Sequence, residues 1–155
     1  MNQMRSFLLA LSVIAIFSTQ AGAGIKLEAS KFTVSVNLTD GATGACWTYT
    51  RKVRQFIEGK LKKMGFRLGH FNTAVALKNQ YIFEVSVFSE RKTSGDISFC
   101  DGGVHTVFKT NTKVHGQEHV AQLAGYLMNG SNPDWNDTVM SLADLTIKEI
   151  ENYFQ

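Results

Sequence analysis

The chain has 155 residues, with 16 Lys and Arg against 13 Asp and Glu, so its formal net charge is only +3. A balance this near neutrality singles out neither nucleic acid nor a membrane surface as a partner, and local clusters of charge matter more. The single proline and the absence of low-complexity stretches predict no linker and no internal repeat.

The first 23 residues have the three zones of a secretory signal. Arg5 gives a basic start, residues 7–17 are almost wholly apolar, and residues 21–23 form a small-residue cleavage site. The apolar run is shorter than the roughly 20 residues that a spanning helix needs, and no second run of that length follows. We therefore predict a signal peptide over residues 1–23 and one domain over residues 24–155, exported to the periplasm or secreted, with no transmembrane helix.

A first strand is predicted over residues 32–38, where apolar and polar residues alternate. A helix over residues 48–64 follows, and Gly65 stands where a left-handed C-cap residue belongs. Its apolar residues share one face at spacings of three and four, namely Val53, Phe56, Ile57, Leu61 and Met64. An extended segment, residues 66–71, comes next.

The clearest strand pattern lies at residues 81–89, which are apolar on both faces and so predict a central strand or one whose second face is partly covered. Residues 97–100 and 104–113 are two further strand segments, and Asp101-Gly102-Gly103 between them indicates a hairpin or a bulge.

The rest is predicted to be two helices. The first has an apolar stripe made of Val120, Leu123, Ala124, Leu127 and Met128. After a break at residues 129–133, Asp134 or Asp137 can cap the second. The buried side of that helix is expected to contain Val139, Leu142, Ala143, Thr146, Ile150 and Tyr153.

This order of elements predicts an α+β fold: a two-layer sandwich in which a mostly antiparallel sheet of four or five strands carries two or three helices on one face. Two cysteines in an exported chain predict one disulfide, Cys46 to Cys100. A reactive or metal-binding thiol pair is the alternative, which the wide separation of the two residues disfavours.

The segment from Arg54 to Phe66, an amphipathic helix that ends in Gly-Phe between strands, is similar to a unit of bacterial envelope proteins. It resembles the small α+β domains of the TolB N-terminal type and of lipopolysaccharide-assembly lipoproteins. The resemblance implies an adaptor that binds envelope proteins or glycolipid, and it carries no site residues. The absence of a lipoprotein cysteine departs from the lipoprotein members.

The predicted helix at residues 48–64 is the most biased surface. Its cations, with the one that follows it, are Arg51, Lys52, Arg54, Lys60, Lys62, Lys63 and Arg67, and Glu58 is the only acid among them. A basic helix face can bind anionic lipid, glycolipid phosphates or nucleic acid, or it can be a solvated outer face. We select Arg51, Arg54, Lys62 and Lys63 as binding residues. Export and the lack of an aromatic stacking platform argue against nucleic acid.

Three other features are weighed. Trp135, in a polar loop, is either a partner contact or an anchor folded back on the core. His115 and His119 would share a face of a helix and are weak candidates for a zinc site, although no third ligand is identifiable. Asp96 and Asp101 flank a strand end, but no catalytic or phosphate-binding motif is present and no cofactor is expected.

The sequence therefore favours a non-enzymatic, periplasmic binding or adaptor protein of the cell envelope, whose partner is an envelope protein or an anionic glycolipid. The alternatives are a secreted inhibitor or immunity-type protein that blocks a partner enzyme with a loop, and a metal-binding module.

Overall fold

A computed structural model describes residues 26–70, 80–115 and 117–155, and the predicted signal peptide lies outside them. The elements are a 3-10 turn Ala29–Lys31, β1 Thr33–Ala42, α1 Thr50–Lys63, β2 Arg67–Gly69, β3 Gln80–Ser94, β4 Ile97–Val114, β5 Gln117–Asn132 and α2 Asn136–Ile150. Neither described helix is long and apolar enough to cross a membrane.

The strands form one sheet in the order β2-β1-β3-β4-β5. β1 is parallel to β2 and to β3, whereas β3, β4 and β5 form two long antiparallel ladders. Most residue pairs of the sheet are therefore antiparallel. α1 packs on β1 and β2, α2 packs on β4 and β5, and the two helices contact each other. The predicted α+β sandwich is confirmed.

The helix predicted around Val120–Met128 is wrong, because these residues belong to β5, which pairs with β4 along its whole length. The pairing shifts register between Phe108 and Lys109, which face Ala124 and Gln122. The extra residue on β5 interrupts the two-residue alternation of a strand. The resulting spacing of apolar residues imitates that of a helix.

The hairpin predicted at residues 101–103 is also wrong in position, although a turn occurs nearby. β4 runs straight through these residues, and the chain reverses at Gly95 and Asp96. Gly102 is needed for close approach, since a Cβ there would overlap the carbonyl oxygen of Phe88 on β3. Glycine marks tight strand packing at this position.

The core lies between the sheet and the two helices. α1 buries Val53, Ile57 and Leu61, while Phe56 and Met64 are partly buried, as its apolar stripe predicts. α2 buries the predicted residues and also Ile147, but Tyr153 is 44% exposed because the helix has ended at Ile150. One end of the core is a cluster of aromatic rings: Phe32, Phe66, Tyr81, Phe108 and Phe154.

The predicted disulfide is present. Cys46 and Cys100 are joined and fully buried, so the bond ties the segment before α1 to β4. Next to it, the backbone N–H of Trp135 donates to the carbonyl of Cys46 at 2.8 Å. The disulfide therefore fixes the segment before α1, β4 and the start of α2 at one point.

Replacing both cysteines by alanine is expected to lower the free energy of unfolding by about 4 kcal/mol. The bond closes a loop with a sequence separation of 54, and the chain-entropy model gives about that value for such a loop. Urea unfolding of the two proteins measures the difference, and the wild type under reducing conditions should unfold like the variant. An unchanged midpoint would contradict this role of the bond.

Candidate functional site

The outward face of α1 is the candidate site. Because Val53, Ile57 and Leu61 point into the core, the residues opposite them on the helix are exposed. These are Arg51, Lys52, Gln55, Gly59, Lys62 and Lys63. Four of the six are cations and none is an acid. The face extends for about 18 Å at 1.5 Å per residue, and we call it the cationic face.

Gly59 lies in the middle of the cationic face. A Cβ built on it would have no atom within 4 Å, so the space above the backbone is open. The glycine costs the helix about 1 kcal/mol relative to alanine.

Arg51, Lys62 and Lys63 make no ion pair with any other residue that the structure describes. Lys52, which was not among the four selected cations, belongs to the same face. Its ammonium lies 4.4 Å from the centre of the Tyr49 ring. The cation–π contact holds Lys52 at the surface with its charge intact.

Arg54, one of the four selected cations, makes contacts within the fold. Its Nη1 donates to the carbonyl of Val36 on β1 at 2.8 Å and lies 3.5 Å from the Glu58 carboxylate. β2 pairs only with Thr33–Ser35, so Arg54 covers a strand carbonyl just beyond the end of β2. Arg54 and Glu58 neutralise each other at the wall of a surface cavity of about 500 Å³, so neither adds net charge to the cationic face.

Lys60 also points away from the cationic face. Its ammonium lies 3.4 Å from Asp144 on α2, and Lys148 contacts the same carboxyl at 2.8 Å. The hydrogen bond from Lys148, assisted by Lys60, holds the pKa of Asp144 below its ordinary value, although partial burial opposes the shift. Asp144 therefore ties the two helices together as an anion.

Asn136, the first residue of α2, fixes the start of α1. Its Oδ1 accepts hydrogen bonds from the backbone N–H groups of Thr48 and Tyr49, at 2.9 and 3.1 Å, and from the Thr48 hydroxyl at 3.3 Å. Tyr49 makes no side-chain cap of its own. The amide oxygen thus satisfies the N–H of the N-cap residue Tyr49 and of the residue before it, and so fixes the entry of the chain into α1.

Asn136→Ala is expected to lower the free energy of unfolding by about 1–2 kcal/mol, since it removes the acceptor of three hydrogen bonds at a helix start. Thermal or urea unfolding measures this. Asn152→Ala, at an exposed position after α2, is the matched control and should have little effect. Equal effects of the two substitutions would show that the hydrogen bonds accepted by Asn136 contribute nothing to the free energy of unfolding.

Trp135 is fully buried, and its indole N–H donates to the Ser89 hydroxyl at 2.9 Å. The polar sequence around it suggests a partner contact, and burial shows that this interpretation is wrong. Trp135 is instead the loop anchor, the other interpretation, because it closes the core beside the disulfide. Trp47 is buried as well.

The two aspartates considered for catalysis are not neighbours. Asp101 lies on β4, where a hydrogen bond from Lys92 at 2.8 Å and another from Ser131 keep its pKa below the ordinary value. Asp96 lies in the turn between β3 and β4. The strand runs for about 14 Å from Ile97 to Asp101, at 3.4 Å per residue, and Asp96 lies one residue further away in the turn.

The two histidines do not lie on a helix. His115 is in the turn after β4, with a positive φ of 51°, and His119 is on β5 opposite Thr112. The two histidines therefore lack the helical i, i+4 spacing on which the zinc prediction depended. Within residues 26–70, 80–115 and 117–155, no three His, Cys, Asp or Glu side chains come together as a metal site.

A second exposed feature is the end of the β3–β4 hairpin, residues 91–99, which we call the finger. Pairing of β1 with β3 ends at Ser89, and pairing of β5 with β4 ends at Cys100, so the finger extends beyond both neighbouring strands. Arg91 donates to the carbonyls of Gly44 and Ala45 at its base. Near the tip, Ile97 is 69% exposed.

No family model matches the chain, and no curated protein sequence matches it. Among solved structures, it is similar to a hypothetical protein of Chlamydia trachomatis, with 14% identity over 78% of this chain and 94% of that chain and a TM-score of 0.40. A minor lipoprotein of Acinetobacter baumannii has 14% identity, coverage of 80% and 92%, and a TM-score of 0.35. A neuraminyllactose-binding hemagglutinin homolog of Helicobacter pylori has 10% identity, coverage of 82% and 86%, and a TM-score of 0.33.

Likenesses of this size define no family. The similarity to the TolB N-terminal type and to lipopolysaccharide-assembly lipoproteins therefore stays a prediction.

Proposed function

We propose that the protein is a non-enzymatic, exported binding protein of the cell envelope whose cationic face binds an anionic glycolipid surface. The N-terminal signal pattern supports export. The buried disulfide supports it further, because such bonds persist in oxidising compartments.

One observation carries the choice of partner: Arg51, Lys52, Lys62 and Lys63 lie on one exposed helix face that has no acid. A Lys or Arg near an anionic membrane surface contributes about 1 kcal/mol. Four such residues contribute about 4 kcal/mol, which corresponds to a dissociation constant of about 1 mM. Binding by a single face is therefore weak and reversible, as suits an adaptor that exchanges between partners.

The cationic face also lacks an apolar anchor. Its six exposed positions are basic, Gln or Gly, so nothing on it can insert among acyl chains. Helices that lie within a membrane interface pair their cations with a large apolar face, and here the apolar face of α1 is occupied by the core. Recognition is confined to phosphate and other anionic headgroup chemistry, and it depends on salt.

Lys62→Gln with Lys63→Gln is expected to weaken binding to vesicles that contain lipopolysaccharide about thirtyfold, since it removes about 2 kcal/mol of attraction. Lys31→Gln with Lys148→Gln makes the same change in net charge away from the cationic face, and both side chains are exposed. That control should bind almost like the wild type. Cosedimentation at low salt measures the binding.

Two results would contradict this proposal. Equal losses in the two double variants would mean that only net charge matters. Equal binding of the wild type to zwitterionic and anionic vesicles would remove the electrostatic basis altogether. Vesicles of anionic phospholipid without glycolipid test whether the sugar region adds to the attraction.

The second candidate function is inhibition of a partner enzyme, and the finger is the observation that favours it. Residues 91–99 project past the sheet, and the hydrogen bonds of Arg91 and the disulfide at Cys100 hold their base. A braced hairpin loses little conformational entropy when it enters a cleft. Ile97 near its tip is an apolar group that could enter an enzyme pocket.

Ile97→Asp is expected to abolish a one-to-one complex with such an enzyme, which should survive high salt because an apolar contact holds it. Leu145→Asp, at an exposed site on α2 (42%), is the control and should leave the complex intact. Size exclusion of material isolated from an envelope extract at high salt provides the measurement. A complex that tolerates Ile97→Asp would exclude the finger.

A further inference from the structure

The free edge of the sheet at β5 has an unusual composition. Among the described residues, β5 pairs with β4 only, so the main-chain groups along its other side are available for pairing. Exposed edge strands are usually protected by short length, by charged residues such as Lys, by Pro or by a bulge. β5 is 16 residues long and contains no Lys, Arg or Pro, and its only acid is Glu118.

Two large apolar side chains lie on β5 on the face of the sheet away from the helices. The Thr106 hydroxyl donates to the Leu142 carbonyl on α2, so Thr106 lies on the helix side of the sheet. Its neighbour His105 therefore points to the other face, and Leu127, which is opposite His105, points the same way. Val120, opposite Asn111, also lies on this outer face. Val120 is 64% exposed and Leu127 is 67% exposed.

We propose that β5 pairs antiparallel with β5 of a second copy of this chain, about a two-fold axis between Leu123 and Ala124. In this register Val120 faces the partner's Leu127, and Leu127 faces the partner's Val120. Glu118 faces the partner's Asn129, so no two acids are opposed. A second copy suits this edge because a strand with one acid and no Lys or Arg does not repel itself in this register and offers little to a charged partner.

The bulge of β5 supports this register. In a regular strand, residues 120 and 127 would point to opposite faces, because the side-chain period is two. The extra residue near Leu123 brings both side chains to the outer face, as their partners on β4 show. Pairing centred on the bulge therefore matches every outward residue with an outward residue of the other copy. A register shifted by one residue would lose that match.

The size of the interface indicates its strength. Residues 118–129 give a paired length of about 40 Å and a width of about 10 Å, or about 400 Å² from each copy. A total near 800 Å² is below the range of stable interfaces, about 1,200–2,000 Å², and falls in the range of weak, transient ones. The dimer is therefore weak and dissociates on dilution.

A two-fold axis of an antiparallel edge pair stands perpendicular to the sheet, so both copies have their helices on the same side. The two cationic faces then point to the same side of a ten-stranded sheet. This consequence rests on the proposed function: two weak faces on one rigid body can bind a planar anionic surface together, with higher avidity than either face alone.

Sedimentation velocity of the mature protein over a range of concentrations tests the dimer without any ligand. Val120→Lys with Leu127→Lys places like charges opposite each other twice and is expected to weaken dimerisation about tenfold or more. Val120→Lys with Leu127→Glu places opposite charges in the same positions and should retain the dimer. Ile97→Lys, on the finger, is the control for added charge.

A protein that stays monomeric at every concentration would overturn the proposal. A dimer that survives Val120→Lys with Leu127→Lys would overturn it too, because its interface would lie elsewhere. Unchanged thermal unfolding of both double variants shows that they fold. The doubly lysine-substituted protein should bind anionic vesicles more weakly than the wild type, despite its extra positive charge. Tighter binding would overturn the bivalent arrangement. Sedimentation tests the dimer independently of this result.

Discussion

The buried bond between Cys46 and Cys100 is the constraint on which the rest of the structure depends. It fixes the segment before α1 to β4, and Trp135 extends this junction to α2 by donating to Cys46 and to Ser89. The direction of α1 and the base of the finger both follow from this point. A buried crosslink of this kind stabilises the domain because it restricts the unfolded chain.

The cationic face, the finger and the β5 edge are exposed because they take no part in packing the core. The helices cover one side of the sheet, so α1 leaves its outward face to solvent. β3 and β4 continue to pair with each other beyond the points where β1 and β5 stop pairing with them, and this extension is the finger. β5 ends the sheet and so keeps an unpaired side among the described residues. Function is assigned to these features because the polar residues elsewhere, such as Arg54, Asp101 and Asp144, are engaged within the fold.

Much of this arrangement could be predicted from the sequence, and the errors have physical causes. α1, β3 and the disulfide were predictable, because their signals are local periodicity or the pairing of the only two cysteines. β5 was not, since a bulge gave a strand the apolar spacing of a helix. Trp135 was misjudged, and the contacts of Arg54 could not be foreseen, for a related reason. Arg54 reaches a strand carbonyl and Trp135 a serine 46 residues away, and such tertiary partners leave no trace in a linear pattern.

The cationic face and the β5 edge are compatible because they lie at opposite ends of the sheet. α1 packs on β1 and β2, whereas β5 is separated from them by β3 and β4. Pairing through β5 therefore covers none of the four cations. Each interaction is weak by itself. The cationic face is weak because four surface charges give only about 4 kcal/mol, and the β5 pairing is weak because the paired edge is small. Weak sites on separate edges of a rigid sheet strengthen each other when an extended anionic surface is present, because binding of one copy raises the local concentration of the next.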